Sequence, residues 1–511
     1  KTTLYDGVID FFKQIDNKKL LEIDISGLNH LKTLQNIIDS WANNLPYMYI
    51  LADYNGKLYT GTDVNADYQV PSARMSYIWD RLHDYAGFTY AGSVFQTEKF
   101  TNWFMTFPKP ITDASIQVIP VTAQSANIVA NQTPSGTYFY IEYVPDTIPP
   151  NVYLSKNPQN QIIVQTTGSY KIKATGVATN LTTNTEFKDI HYYVYDSANT
   201  LLNTGTLDGT ANGFVYLPLN AGNKLVFSSD IYGGPGNWIT TTQQLFIDYV
   251  NGYVANFDEA LIDFTASEFY KEVLNHFALI PFKDKYSNHI VYKTLTEIMQ
   301  NEQVVDWSNK NPVRLTEKYI VGTYGQSNSF VYKYNQEGFS HNDGEILIDN
   351  KNLKETNVAI ASRFYSPNAE LVGVANTSVP VYPIWEKEIQ DNGQIKYKDL
   401  TGRYYIHRAK MEFTSFTLAS ELLNISQTVA GQIPFSSYHR LKWSEILIDN
   451  YSDISKILNT SKLVEANLFL SSKDVADFDF QRLVYIEQFA SYIIVNKISN
   501  FIKDKYTKVE L

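Results

Sequence analysis

Between Ile111 and Val250 helical periodicity disappears, and seven short runs of alternating apolar and polar residues follow one another. They read TYFYIEYV, NQIIVQT, YKIKATGV, IHYYVYD, GFVYLPL, KLVFSSDIY and QQLFIDY. Turn clusters separate them, including Pro145–Asn151 and Gly233–Gly236. Alternation places one set of side chains on a core face and the other toward water, and such runs at regular spacing predict a β-sandwich or jelly roll. The neighbouring sequence has a different texture, so this stretch is read as a module inserted into a larger body.

On either side, helix signals return. Pro71–Gly87 is expected to be a helix capped by Ser72, with Met75, Ile78, Trp79 and Leu82 on one face and Gly87 at the left-handed C-cap. Thr265 and Glu268 form a capping box ahead of an apolar face made by Phe269, Tyr270, Val273, Leu274 and Phe277. A further helix is expected at about 294–301, and Trp443–Asn459 has helical spacing. Leu4–Phe12 is also helical in spacing, whereas Leu20–Ile25 reads as a strand. Asn55-Gly56 marks a hairpin. From Pro312 to about Ala419 the chain reads as strands again, and its C-terminal tail as three or four more. A helix followed by an aromatic-rich extended segment occurs twice, at 72–95 and 265–292, as loose duplication would produce. The hexapeptide EILIDN also occurs twice, at 345–350 and 445–450, the second time in a helical context.

A chain of 511 residues should hold about three or four domains. It carries 38 Tyr, 28 Phe and 7 Trp, which argues against disorder. Three readings fit this load: strand content, a large protein–protein interface, or a sugar-binding face. The net charge of −11 argues against specific nucleic-acid binding and against an anionic membrane surface. No apolar run is long enough for a membrane helix. With no cysteine, disulfides and thiolate chemistry are excluded. The chain opens KTTLYDG, the start expected of a fragment or a processed form.

The residues offer little chemistry. No pair among the eight histidines has a metal-binding spacing, and His83 and His276 are expected at the surface of amphipathic helices or in an interface. His341-Asn-Asp343-Gly344 reads as a hairpin turn rather than a calcium loop. No phosphate-binding glycine loop or nucleophile elbow occurs. No catalytic residue, metal ligand or cofactor is therefore expected. Tyr232 and Trp238 flank the glycine-rich turn of the inserted module and are candidates for stacking on a glycan. The triplets at Asn131, Asn180 and Asn424 matter only in a glycosylating secretory context.

One family resemblance emerges from the segment that runs from Phe264 to Lys310. FAL at Phe277–Leu279, FKDKYSNHI at Phe282–Ile290 and DWSNK at Asp306–Lys310 resemble the middle of tail hub proteins of phages and prophages from Bacteroidetes-type hosts. WDRLHDYAGFTYAGS at Trp79–Ser93 looks like that family's earlier helix and turn, and Leu468–Phe501 like its closing strands. The resemblance covers roughly 70–108 and 255–511 and leaves out 111–250. Ile494 ahead of Val495-Asn496-Lys497-Ile498 departs from the family's pattern.

The resemblance implies a mainly β chain with α elements, in which two hub-type β-barrels are joined by helices and carry an inserted β-sandwich or jelly roll. The corresponding divisions are 1–110 for part of the first barrel, its N-terminal portion unmatched, and 111–250 for the insert. A helical connector would span 251–312, the second barrel 313–440, and its helix and closing strands 441–511. It implies a structural virion protein at the phage tail tip, a homotrimer rather than an enzyme. Such a hub links the tail tube or distal tail protein to a tail-tip spike or fibre and lines the channel for DNA passage. A tape-measure protein and a host surface glycan are further implied partners. A glycan-binding receptor-recognition protein and a cell-wall-degrading enzyme are the alternatives.

Overall fold

The computed structural model describes residues 2–4, 9–54, 58–60, 63–106, 117–124, 128–130, 138–142, 153–159, 161–180, 185–207, 214–233, 239–251, 253–255, 257, 264–318, 324–334, 337–373, 377, 379–384, 387–389, 395–397, 403–420, 425–460 and 462–511. It is mainly β, with several sheets and a smaller share of helix. Among the described residues no helix is long and apolar enough to cross a membrane.

The largest core is built around a seven-stranded sheet. Its order is Tyr47–Met48, Ser72–Arg74, Phe104–Thr106, Ile406–Ser420, Asp63–Asn65 and Tyr59–Thr60, with Ile425–Ser437 paired to Ile406–Ser420. Ile406 lies opposite Met105, so strands from 1–110 and from 313–440 are hydrogen-bonded neighbours. The helices Leu34–Ala42, Met75–Ala86, Ala266–Phe277 and Trp443–Asn450 add their apolar faces to this same core. Large aromatic side chains fill it, including Trp79, Trp103, Tyr270, Tyr404 and Trp443.

Between residues 117 and 251 lie two antiparallel sheets. In one, Gly168–Asn180 runs between Phe214–Leu219 and Ile239–Asn251. In the other, Lys224–Gly233 runs beside Thr185–Tyr195. Tyr170, Ile172 and Ile247 from the first sheet and Val194, Leu225 and Phe227 from the second bury into one common cluster. Packing two half-apolar faces together is the way such alternating strands leave water.

A third core lies at the C-terminal end. Its five-stranded sheet has the order Thr2–Leu4, Lys497–Phe501, Thr507–Glu510, Leu463–Leu468 and Val313–Lys318. A small sheet of Val305–Asp306, Val484–Ile486 and Ser491–Ile493 adjoins it. Val464, Ala466, Leu468, Val484, Ile486, Ile498 and Val509 form its buried cluster. Among the described residues the tail thus forms five strands where three or four were expected, with a helical turn at Ser472–Ala476, started by a Ser471/Asp474 capping box, and a 3-10 turn at Glu487–Phe489.

Several local expectations differ from what is observed. The helix expected from Pro71 starts at Met75, and Ser72–Arg74 is a strand. Ser72 is buried, and its hydroxyl lies 2.8 Å from His407 Nε2, so it caps nothing. Leu20–Ile25 contains a short 3-10 turn at Leu20–Glu22 rather than a strand. Lys19 N donates to the Glu22 carboxylate and Ile23 N to Leu20 O, while Leu20 N donates to Phe264 O at 2.8 Å. Trp443–Asn459 divides into Trp443–Asn450 and Ser452–Thr460, with Tyr451 between them. Asn55-Gly56 lies outside the described residues.

The duplicated helix has a clear structural counterpart. Met75–Ala86 and Ala266–Phe277 are each 12 residues long. Each ends on a left-handed residue, Gly87 at φ 72° and Ala278 at φ 50°. Both then feed one three-stranded sheet, ordered Leu279–Lys283, His289–Thr294, Thr89–Ala91.

Candidate functional site

The segment from Phe264 to Lys310 touches both of the cores that flank it. Thr265 Oγ1 accepts from Glu268 N at 3.2 Å, and the Glu268 carboxylate accepts from Thr265 N at 3.1 Å. This reciprocal pair satisfies amide groups that the first turn of a helix leaves free. Phe269, Tyr270, Val273 and Phe277 then enter the largest core. Tyr270 stacks on Trp79 with centroids 5.3 Å apart and planes at 8°. After Ala278 the chain forms the Leu279–Lys283 strand and turns back through Asp284, whose carboxylate accepts from Tyr286 N and Ser287 N. These amide bonds hold its pKa below the ordinary range.

A second capping box, Thr294 with Glu297, starts the Leu295–Met299 helix. Phe282 and Ile298 bury against Leu483 of the C-terminal tail. Val305 N donates to Leu483 O, and Trp307 N to Tyr485 O, both at 2.9 Å. Trp307 is buried in the C-terminal core, with Phe478 at 4.9 Å. Asp306 accepts from Ser308 N at 2.8 Å, and Lys310 pairs with Asp474 at 2.7 Å. One continuous segment is therefore anchored in two β bodies and works as a brace between them.

The titratable groups on the brace and beside it are used in packing. His83 and His276, expected at a surface or interface, are both buried, because each helix is covered by other elements as well as by its own sheet. In each ring Nδ1 faces the carbonyl four residues back, Trp79 O at 2.9 Å or Glu272 O at 2.8 Å. A carbonyl only accepts, so Nδ1 carries the proton. Nε2 faces a tyrosine hydroxyl, Tyr292 at 2.8 Å or Tyr332 at 3.0 Å. Burial pushes both imidazoles down to about 4.

Glu272 is buried on the same helix. Its carboxylate accepts from Ser362 Oγ at 2.9 Å and from Arg363 N, and burial pushes it up to about 7. Its oxygen lies 3.6 Å from His276 Nδ1, but a neutral imidazole makes this a polar contact rather than an ion pair at neutral pH. Asp343 is likewise occupied, accepting from Tyr332 N at 3.0 Å and Tyr334 Oη at 2.9 Å, and Gly344 opens a strand antiparallel to Ser327–Lys333. This is the hairpin turn read from His341-Asn-Asp-Gly.

Tyr232 lies in the Lys224–Gly233 strand, its main chain opposite Tyr138 and Glu186, and Trp238 lies outside the described residues. The glycan-binding expectation on this pair therefore has only a backbone placement for Tyr232. Of the three glycosylation triplets, Asn180 ends the Gly168–Asn180 strand, while Asn131 and Asn424 lie outside the described residues. Among the described residues no three His, Asp or Glu side chains gather as a metal site.

Two buried cations escaped sequence reading. Lys32 donates Nζ to Asp67 O at 2.9 Å, and burial pushes it down to about 7. Arg408 is nine-tenths buried against carbonyls of Lys99, Asn102 and His439. Their partners lie 35 or more residues away along the chain, apart from His439 at 31, and no local pattern announces such contacts.

No family model matches the chain, and no curated protein matches it. Among solved structures, the VP2 subviral particle of infectious bursal disease virus is similar over 28% of this chain and 34% of that one, at 14% identity and a TM-score of 0.18. The structure of the Gt strain of the same virus matches over 28% and 35%, at 11% identity and a TM-score of 0.17. The chain thus spans about a third of the length of the structures it matches. Likenesses at these TM-scores carry no argument about its fold or function.

Proposed function

We propose that this chain is a structural virion protein, a homotrimeric tail hub that joins the tail tube to the tip of a phage tail. The observation that carries this reading is the brace. Phe264–Lys310 contains the motifs that resemble the hub family, and its side chains are spent on two capping boxes and on anchors in two β cores. A part that transmits load between a tube and a tip needs its β bodies held in fixed relation, and burial of Tyr270 at one end and Trp307 at the other does this. Short sheets with open edges also gain from subunit pairing, since closing a ring removes exposed strand edges. The trimer would contact the tail tube or distal tail protein on one side and a spike or fibre on the other, with the tape-measure protein ending at its channel.

The purified chain is expected to run as a trimer by light scattering and to show threefold rings in particle images. It should also bind tail-tube protein expressed with it. A monomer at every concentration that takes up no tail-tube protein would overturn the proposal.

A further inference from the structure

Two arginines from strands far apart in sequence meet at the carbonyl end of the short helix Glu98–Thr101. Arg74 donates Nη1 to Thr101 O at 2.8 Å and Nε to Leu45 O at 3.1 Å. Its guanidinium lies 4.8 Å over the Phe104 ring. Arg408 donates Nη1 to Lys99 O and, at 3.3 Å, to Asn102 O, and Nε to His439 O at 3.1 Å. The two guanidiniums thus sit on consecutive carbonyls, Thr101 and Asn102.

These bonds fix the orientation of both groups without cancelling their charge, because every acceptor is a neutral main-chain carbonyl. Neither arginine forms an ion pair among the described residues. Nη2 of each has no protein partner there, and neither Nη2 is among the buried unpartnered atoms, so both keep contact with solvent. Both residues line one cleft of about 740 Å³. Lys99, Lys410 and Arg440 also line it, against one lining acid, Glu98, and Lys410 is paired with Glu412, which is not part of the lining. Lys99 and Arg440 share one carboxylate, Asp449, which leaves a further positive charge at the rim. In a chain of net charge −11 this concentration of cations is against the general trend.

Holding guanidiniums in place with neutral acceptors is a way to preorganise a fork for an oxyanion, because little rotamer entropy remains to be lost on binding. We propose that the cleft between Arg74 and Arg408 is an oxyanion-binding site, taking a phosphate or carboxylate group on the two free Nη2 positions. Arg408, with nine-tenths of its surface covered, supplies the charge at the floor of the cleft, while Lys410 at the rim is paired with Glu412. Burial lowers the Arg408 guanidinium only to about 10, so it stays cationic at neutral pH.

The test is calorimetric titration of the full chain at low ionic strength with inorganic phosphate and, separately, with glutarate as a dicarboxylate. Saturable binding is expected for at least one. Tighter phosphate binding assigns the ligand to a phosphorylated source, and tighter glutarate binding to acidic side chains of a polypeptide. Arg408→Lys keeps the charge and removes the fork, and should weaken binding roughly tenfold, the loss of one charge-assisted hydrogen bond. Lys410→Glu reverses a charge on the cleft wall at an exposed position, and should also weaken binding. No binding of either anion at up to about 10 mM, a very weak affinity, would overturn the proposal. So would binding that Lys410→Glu and a folded Arg408→Lys leave unchanged. The outcome is independent of oligomeric state.

Discussion

At the scale of residues, buried ionisable groups give this chain an expected pH signature. Burial pushes His83 and His276 down to about 4 and His407 to about 3. The unfolded chain takes up these protons near pH 6.5, where the folded chain does not, so stability is lost as pH falls below that value. Glu272 has the opposite sign. Its folded pKa is raised to about 7, so its contribution is fully present below its unfolded value near 4.5 and is lost as pH rises through 7. Four histidines, His30 also at about 4, stand against Glu272 and the upward shifts of Asp80 and Asp343, and each unopposed group is worth at most about 1.4 kcal/mol per pH unit. Urea midpoints are therefore expected to rise between pH 5 and pH 6.5, and Glu272→Gln should steepen that rise. A flat or falling profile in the wild-type chain would contradict the assignment. His83 and His276 lay on helices and His407 on a strand, as read. Their burial was not visible, because it depends on what covers the face opposite the expected core.

At the scale of elements, the two copies of EILIDN show how far a local sequence can be overruled. At 345–350 the hexapeptide extends a strand, and Ile346 and Ile348 are buried while Leu347 is exposed. At 445–450 it is helical, and Ile446 and Leu447 are buried while Ile448 is exposed. The same apolar triplet satisfies a period of two in one place and a helical face in the other. The copies also pack together. A Cβ on Gly344 would lie 2.8 Å from Leu447 Cδ1 and 2.9 Å from Ser444 N. Gly344→Ala is thus expected to push the Trp443–Asn450 helix off its strand and to destabilise by roughly 1–3 kcal/mol, an overpacking cost. Thermal melts would check this, and an unchanged midpoint would show that the helix yields freely. By contrast, the capping box at Thr265 was legible because cap, helix and acceptor all lie within four residues. Ser72 misled because its partner, His407, is 335 residues away.

At the scale of the whole molecule, the brace makes a separable prediction. Trp307 sits at its far end in the C-terminal core, while Phe269 and Tyr270 hold its near end. Trp307→Ala is expected to cost about 3–5 kcal/mol, as for other buried large aromatics. The cost should fall on the C-terminal body. Limited proteolysis with mass analysis should then cut first within 463–511, leaving Ala266–Phe277 protected. Cleavage spread evenly over both bodies would mean that the brace unfolds as one unit with them. The arrangement also brings strands from 1–110 and 313–440 into a single sheet, with Thr2–Leu4 joining the C-terminal sheet beside Lys497–Phe501. Both contacts cross most of the chain.

The amino-acid sequence alone determined the kind of most elements. Its alternating runs became strands, its amphipathic stretches became helices at 75–86 and 266–277, Asp343 settled into a turn, and Asp306 accepts from Ser308 N in the turn that follows its strand. These depend on hydrogen bonds and side-chain periods that act over a few residues. Tertiary structure alone decided which strands share a sheet, which histidines are buried, and which of two identical hexapeptides is a helix. Those outcomes depend on burying apolar faces against partners tens to hundreds of residues away, and that gain exceeds the local preferences it overrides. The Arg74–Arg408 cleft belongs to the second class, since its two guanidiniums meet only after the chain has closed.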